Sequence, residues 1–370
     1  MNAHYLITGG AGSLGREITG RILRSEPGAR IAILLRARNP HGAEVKWEEL
    51  LRFLAHYGHA ASLSRVIPVL GDVGRPALGL SRSVGERLRR RTTHIIHAAA
   101  SINLRMPLAA AREINVTGTR EALSFAESCD GLERFVHLST AYVAGERTGV
   151  IREDEGDLGQ RFRNTYEQSK CEAEALLLDA APRLPVSIAR PSIIVGNSGD
   201  GRTCNFGTLY GPLRRIAEGS LRNIPGDPDT PLDLVPVDYV ADCVAAISQT
   251  AAGTGAVYHV TAGSRRAIPA GELIGTIARL AGKEPPRFIA RAGLASSRDA
   301  VAMRARARMD AFFAYLTGVK AFDDAALRRD FAVRECPDPR AYLPNLYSFC
   351  VSTRWGRELP WDGSPMRAAA

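Results

Sequence analysis

Thr8-Gly9-Gly10-Ala11-Gly12-Ser13-Leu14-Gly15 spaces its glycines G-x-x-G-x-x-G, directly behind the strand-like run Tyr5 to Thr8 and ahead of a helix-like stretch, Arg16 to Arg24. A chain that passes from strand to helix through such a turn has the start of a βαβ unit, and with it of a parallel sheet. The glycines permit the tight turn and let backbone approach a pyrophosphate, whose charge the exposed amides and the positive helix end stabilise. The plainer alternative is a glycine-rich turn without a ligand. Its place behind the first strand favours a dinucleotide, with Gly9, Gly12, Ser13, Leu14 and Gly15 as the binding candidates.

The rest of the chain up to about Pro191 agrees with that start. Apolar runs at Tyr5 to Thr8, Ile31 to Leu35, Val66 to Leu70, His94 to His97, Phe135 to Leu138 and Val186 to Arg190 alternate with helical stretches. Six parallel strands of this kind predict an α/β, doubly wound Rossmann sheet. Val45 to Tyr57 carries apolar residues at near-helical spacing and reads as a crossover helix. After Pro191 glycine and proline become frequent, as the loops of a cap require. The expected division is therefore a cofactor-binding domain over 1–191, to which 232–262 returns. A smaller, mainly helical substrate-binding region is expected over 192–231 and 263–370. From Ser297 the chain reads as helix, with an apolar cluster at Phe312, Phe313, Tyr315 and Leu316 that either lines an acyl tunnel or belongs to the core.

Composition removes several function classes. The six cysteines lie far apart with no C-x-x-C pair, against a zinc site and against a disulfide framework, so buried reduced thiols and no metal are expected. The net charge of +9 is spread through the chain, its densest run being Arg87 to Arg91 at a helix end. An anionic cofactor and an anionic substrate carrier account for that excess more simply than nucleic acid does. No signal peptide is read at the start and nothing approaches the roughly 20 apolar residues of a membrane span, so a cytoplasmic location is expected.

The end of the second strand reads Leu35-Arg36-Ala37-Arg38, where an acidic residue would serve the ribose 2′-hydroxyl of NAD. A guanidinium there makes forked, charge-assisted hydrogen bonds to a 2′-phosphate, so Arg36, and after it Arg38, point to NADPH. Surface charge is the alternative for both. Asp72 and Val73 close the third strand, where an aspartate can accept from the adenine amino group. Ala98 and Ala99 close the fourth, with side chains small enough for backbone to lie against the nicotinamide ribose. Turn chemistry and close packing explain these four equally well.

Tyr166-Glu167-Gln168-Ser169-Lys170 opens a helix whose i, i+4 spacing puts Tyr166 and Lys170 on one face. Lysine is scarce here, with Lys46, Lys170, Lys283 and Lys320 set against a large arginine excess, so its retention at this position carries weight. An ammonium beside the phenol would hydrogen-bond the nicotinamide ribose and lower the tyrosine pKa from its usual value near 10. The third member is a hydroxyl after the fifth strand, Thr140 rather than Ser139 by its distance to Gly145. Asn115 either holds a supporting water or braces the neighbouring strand.

Together these motifs resemble the extended short-chain dehydrogenase/reductase superfamily over roughly Met1 to Val260. Within it, Leu34-Leu35-Arg36, Val136-His137-Leu138-Ser139-Thr140-Ala141-Tyr142-Val143, Asn164 to Lys170 and Asp233 to Val240 are similar to the thioester-reductase branch. That branch contains fatty acyl-CoA reductases, the reductase domains of carboxylic acid reductases and the terminal reductases of polyketide and peptide synthetases. The resemblance implies Gly9, Gly12, Gly15 and Arg36 at NADPH, Thr140, Tyr166 and Lys170 in catalysis, and Pro191, Ser192 and Ile193 beside the nicotinamide. It also implies reduction of an acyl thioester to aldehyde, with a second hydride transfer giving alcohol. No adenylation or carrier domain is read in the chain, so the thioester is expected preformed, on CoA or on an acyl carrier protein. The competing readings are a ketone or secondary-alcohol dehydrogenase, a sugar-nucleotide epimerase or dehydratase, and an NADPH-binding sensor without turnover.

Overall fold

In the computed structural model, which describes residues 2–36, 39–207, 209–250, 255–289, 312–316 and 318–361, seven strands form one parallel sheet in the order β7-β6-β5-β4-β1-β2-β3. These are β1 (His4–Thr8), β2 (Arg30–Leu35), β3 (Val66–Leu70), β4 (His94–His97), β5 (Arg134–Leu138), β6 (Val186–Pro191) and β7 (Val257–Val260). The first six lie where the apolar runs predict them, within a residue at either end. β7 is the addition. Val257-Tyr258-His259-Val260 is short and has a histidine inside it, and it is defined by pairing with β6, Val257 opposite Ile188 and Val260 opposite Pro191.

Helices cover both faces, as the doubly wound class requires. One face packs α1 (Ser13–Ser25), α2 (Pro40–Leu54) and α7 (Val237–Gln249) around Ile18, Ile22, Leu50, Val240 and Val244. The other packs α3 (Arg82–Arg89), α4 (Gly118–Glu127) and α5 (Thr165–Ala180) around Leu88, Phe125 and Leu177. Ile18 and Ile22 stand one turn apart on α1, and burying each contributes roughly 1.5–3 kcal/mol. α7 packs on the sheet and β7 extends it beside β6.

α2 starts earlier than its apolar spacing suggests and stops sooner. Asn39 caps it by accepting from Gly42 N–H at 2.8 Å, and Pro40 presets its first turn. The expected continuation to Tyr57 fails because Tyr57 leaves helical geometry and Gly58 takes φ 87°. A second apolar core joins α6 (Tyr210–Ala217), α8 (Ala270–Leu280) and α9 (Pro339–Ser352), with Leu213, Ile274, Leu343, Phe312, Phe313 and Leu316 inside it. Most of the helix expected from Ser297 lies outside the described residues. All six cysteines are free thiols. Among the described residues no helix is long and apolar enough to cross a membrane, and no group of His, Cys, Asp or Glu is arranged to hold a metal ion.

The strand order reverses between β1 and β4, which opens a crevice at the carboxyl ends of those two strands. The glycine turn follows β1 at that place, and the second core closes over it.

Candidate active site

Gly9 sits at φ 72°, and a Cβ there would lie 2.7 Å from Ala98 C and Ala99 N. The turn after β1 is therefore pressed against the end of β4, a contact open only to glycine. Gly12 N–H donates to Gly9 O at 2.9 Å and α1 starts at Ser13 with no acidic residue in its first turn, so its positive end faces the crevice uncompensated. Gly9, Gly12, Ser13, Leu14 and Gly15 all line one cavity of about 440 Å³.

The same cavity reaches Thr140 and Tyr166 and continues along Pro191, Ser192 and Ile193. Tyr166 is delivered by the first turn of α5, which Asn164 caps by accepting from Glu167 N–H at 3.0 Å. Thr140 follows β5, and Tyr142 N–H donates to its Oγ1 at 3.2 Å. The Thr140 hydroxyl hydrogen is then free for the phenol oxygen of Tyr166, with which it is hydrogen-bonded. Ser139 also faces the cavity, and its buried hydroxyl has no protein partner.

Lys170 departs from the expectation. It is 1% exposed and lies behind the cavity wall, its Nζ 2.8 Å from His137 Nε2 and donating to Leu138 O at 2.7 Å. Burial brings its pKa down to about 7, against a smaller upward pull from Glu174. Tyr166 is not lowered: burial pushes its phenol up to about 12, and only the Thr140 hydrogen bond opposes that. In this protein-only geometry the lysine charge is directed at His137 and Leu138, and the phenol remains a proton donor across the neutral range.

The other candidates separate. Ala98 lines the cavity, while Ala99 turns its N–H to Thr8 Oγ1 at 3.2 Å. Arg36 is exposed beyond β2, with Lys46 Nζ donating to its carbonyl at 2.7 Å. Arg38 lies outside the described residues. Asp72 accepts from Gly74 N–H at 3.0 Å, so one carboxylate oxygen is turned onto its own loop. Val73 is buried against Gly118, away from the cavity. Asn115 is a brace, bonded to Ser101 N, Ser101 O and Ser169 Oγ at 2.8, 3.1 and 2.9 Å. Phe312 and Tyr315 face the cavity, whereas Phe313 and Leu316 are in the second core.

Three positions stand in the sequence reading without the place the structure gives them. Lys46 is a second cation beside Arg36, hidden because ten positions in a helix seldom signal proximity to its preceding loop. Asp233 is buried and accepts from Ser192 Oγ at 2.5 Å, Ala262 N at 2.8 Å and Gly263 N at 3.0 Å, which holds the Pro191 to Ile193 wall in place. His137 contacts Lys170 across the sheet and carries no local signal at all. Among the described residues lining the cavity there is no Asp, Glu, Lys, Arg or His.

A seven-stranded parallel sheet of this order, with its glycine turn at the reversal, is a Rossmann architecture, and the reductase relatives below make the chain an oxidoreductase that uses a nicotinamide cofactor. The chain belongs to the male sterility protein family of NAD-binding proteins, whose description matches residues 7–244. It is similar to the fatty acyl-CoA reductase wat of Drosophila melanogaster, 29% identical over 65% of this chain and 53% of that protein. The L-2-aminoadipate reductase large subunit of Penicillium chrysogenum is 32% identical over 69% of this chain and 19% of its own length. In structure it resembles the terminal R domain of the myxalamid PKS-NRPS pathway, with a TM-score of 0.80, 26% identity, and coverage of 96% of this chain and 92% of that one. The chain spans about half the length of the Drosophila fatty acyl-CoA reductases it matches.

Proposed function

We propose that this protein is an NADPH-dependent reductase of acyl thioesters, presented by CoA or by a carrier protein, giving an aldehyde and, with a second hydride, a primary alcohol. The observation that carries the reading is one cavity joining the glycine turn to the Thr140–Tyr166 pair and then to uncharged walls, among them Ile102, Leu104, Leu209 and Phe312. Both named relatives and the matched R domain point the same way. Bound NADPH supplies the hydride. Gly9, Gly12, Ser13, Leu14 and Gly15 hold its pyrophosphate, with Pro191 and Ile193 beside the nicotinamide. Thr140 and Tyr166 hydrogen-bond the carbonyl oxygen as negative charge develops on it, and Tyr166 gives that oxygen its proton. The resulting hemithioacetal loses the thiol to leave the aldehyde. Walls without charged groups exclude water and favour an apolar acyl chain over an ionised one. The second core supplies the outer wall, with Leu209 and Phe312 facing the cavity.

The test is NADPH consumption and free thiol measured together over acyl-CoA and acyl-carrier thioesters. One NADPH per thiol is expected for aldehyde release and two for alcohol. Consumption of ketones with no thiol released from any thioester would replace this reading with the secondary-alcohol dehydrogenase.

For the cofactor, Arg36→Ala is expected to raise the KM for NADPH by roughly ten- to a hundredfold, the worth of charge-assisted hydrogen bonds to the 2′-phosphate, with the KM for NADH little changed. Lys46→Ala should act in the same direction. Equal losses with both cofactors would remove Arg36 from 2′-phosphate recognition.

A further inference from the structure

The parallel register sets Thr8 of β1 opposite His97 of β4, and His97 opposite His137 of β5. The three side chains form one cross-strand row beneath the crevice. It ends on Lys170 of α5, and Thr8, His97, His137 and Lys170 are all at most 1% exposed.

Hydrogen positions along the row follow from the backbone. The Thr119 hydroxyl donates to Asn115 O at 2.7 Å, so its oxygen can only accept from His97 Nε2, 3.3 Å away. His97 therefore carries its hydrogen on Nε2, and its Nδ1 accepts at 2.8 Å from the Thr8 hydroxyl, whose oxygen also takes Ala99 N–H. Both nitrogens of His97 are committed. It packs on His137 at 5.3 Å between ring centroids without a nitrogen to offer it. His137 differs: Nε2 faces Lys170 at 2.8 Å, and Nδ1 is buried with no partner.

We propose that His137 is a positioning residue, a neutral acceptor that holds the Lys170 ammonium through Nε2 and keeps it protonated where the phenol of Tyr166 needs a cation one helical turn away. The proposal rests on the reductase reading above and adds to it the sequence expectation that Lys170 serves Tyr166 and the nicotinamide ribose as an ammonium.

The surroundings leave little else to do this. From β4 and β5, the groups facing Lys170 are His97, His137 and the Leu138 carbonyl. From its own helix they are Tyr166 and Glu174, and Glu174 is taken by Arg190 of β6 at 2.6 Å. Among the described residues no carboxylate touches Nζ, so burial acts against the ammonium and two neutral acceptors resist it. Burial and the Lys170 charge hold the His137 imidazole well below its usual pKa, which keeps it an acceptor.

The sign follows directly. A rate that needs protonated Lys170 is full below its pKa and lost as pH rises through it. Removing one acceptor of a charged donor lowers that pKa by about one unit or more, so the alkaline limb of the profile moves to lower pH. The experiment compares kcat against pH for the wild-type chain, for His137→Leu, which fills the space without an acceptor, and for His137→Gln, whose amide oxygen can accept. The expected result is an alkaline limb about one unit more acidic in the Leu variant, a loss of about tenfold above the limb, near-normal rates well below it, and recovery in the Gln variant. A limb that stays in place in His137→Leu, or a uniform loss at every pH, overturns the proposal, since packing alone scales the rate without moving the limb. If His137→Leu does not fold, His137→Asn, too short to reach Nζ, takes its place in the comparison with Gln. NADPH affinity against pH, followed by its fluorescence and with Lys170→Met as the blank, reads the same titration without turnover. A wild-type chain that reduces no thioester but shows the His137-dependent shift in NADPH affinity would end the thioester reading and leave this one standing.

Discussion

Tyr166→Phe is expected to lower kcat by about 10²–10⁴ while leaving folding and NADPH affinity nearly intact. The phenol oxygen is bonded to Thr140 and opens on the cavity, so its removal leaves no buried backbone group without a partner. What it removes is the proton given to the carbonyl oxygen, an interaction made only as charge develops, and such a loss falls on kcat rather than KM. With the phenol pushed up to about 12 by burial, Tyr166 stays protonated through the neutral range, so the defect should be deepest below the alkaline limb and shrink where loss of the Lys170 charge lowers the wild-type rate. Thr140→Val should cost about 10²–10³, the usual worth of one donor at an oxyanion. The double variant should be far less than additive, because the two hydroxyls act on one oxygen. Steady-state kinetics with an accepted thioester decides it, and a Tyr166→Phe enzyme within fivefold of wild type would place the proton donor elsewhere.

Local signals made much of this site legible. The glycine turn announces itself because strand, turn and helix are contiguous, and Tyr166 and Lys170 because a helix repeats its face every turn. Thr140 is hydrogen-bonded to Tyr166, and both it and Ser139 face the cavity. What stayed hidden was set by pairing across the sheet. His97 and His137 lie forty positions apart in sequence and become neighbours only through the register of β4 on β5. β7 was missed for the same reason, since four residues with an internal histidine become a strand by lying on β6. The pKa pattern was also out of reach. Spacing puts Lys170 near Tyr166, but which acceptors take the ammonium depends on burial and on what β5 presents beneath it.

The same limit hid the strongest structural constraint on α5. Arg190 reads as the end of a strand and Glu174 carries no signal in the sequence, yet they form an ion pair at 2.6 Å with side chains 1% and 2% exposed. Arg190 Nε donates to Glu174 Oε1 at 2.9 Å, and its Nη1 donates to Glu155 O at 2.9 Å and Glu153 O at 3.3 Å. Glu174 stands one turn beyond Lys170 on α5, so the pair pins α5 to β6. Removing one partner leaves a charge buried alone, and Arg190→Met is expected to cost about 3–5 kcal/mol of stability, read from denaturant unfolding. Pairing it with Glu174→Leu removes the orphaned carboxylate as well, and the double variant should recover a substantial part of the loss, though not all, because the Glu153 and Glu155 carbonyls still lose their donor. The double variant removes a positive charge together with the negative one, so the alkaline limb of the folded double variant should stay near its wild-type position, unlike that of His137→Leu. A single variant costing less than about 1 kcal/mol, or a double no more stable than Arg190→Met, would mean that the pair is solvated in solution and that α5 is held by its apolar face alone.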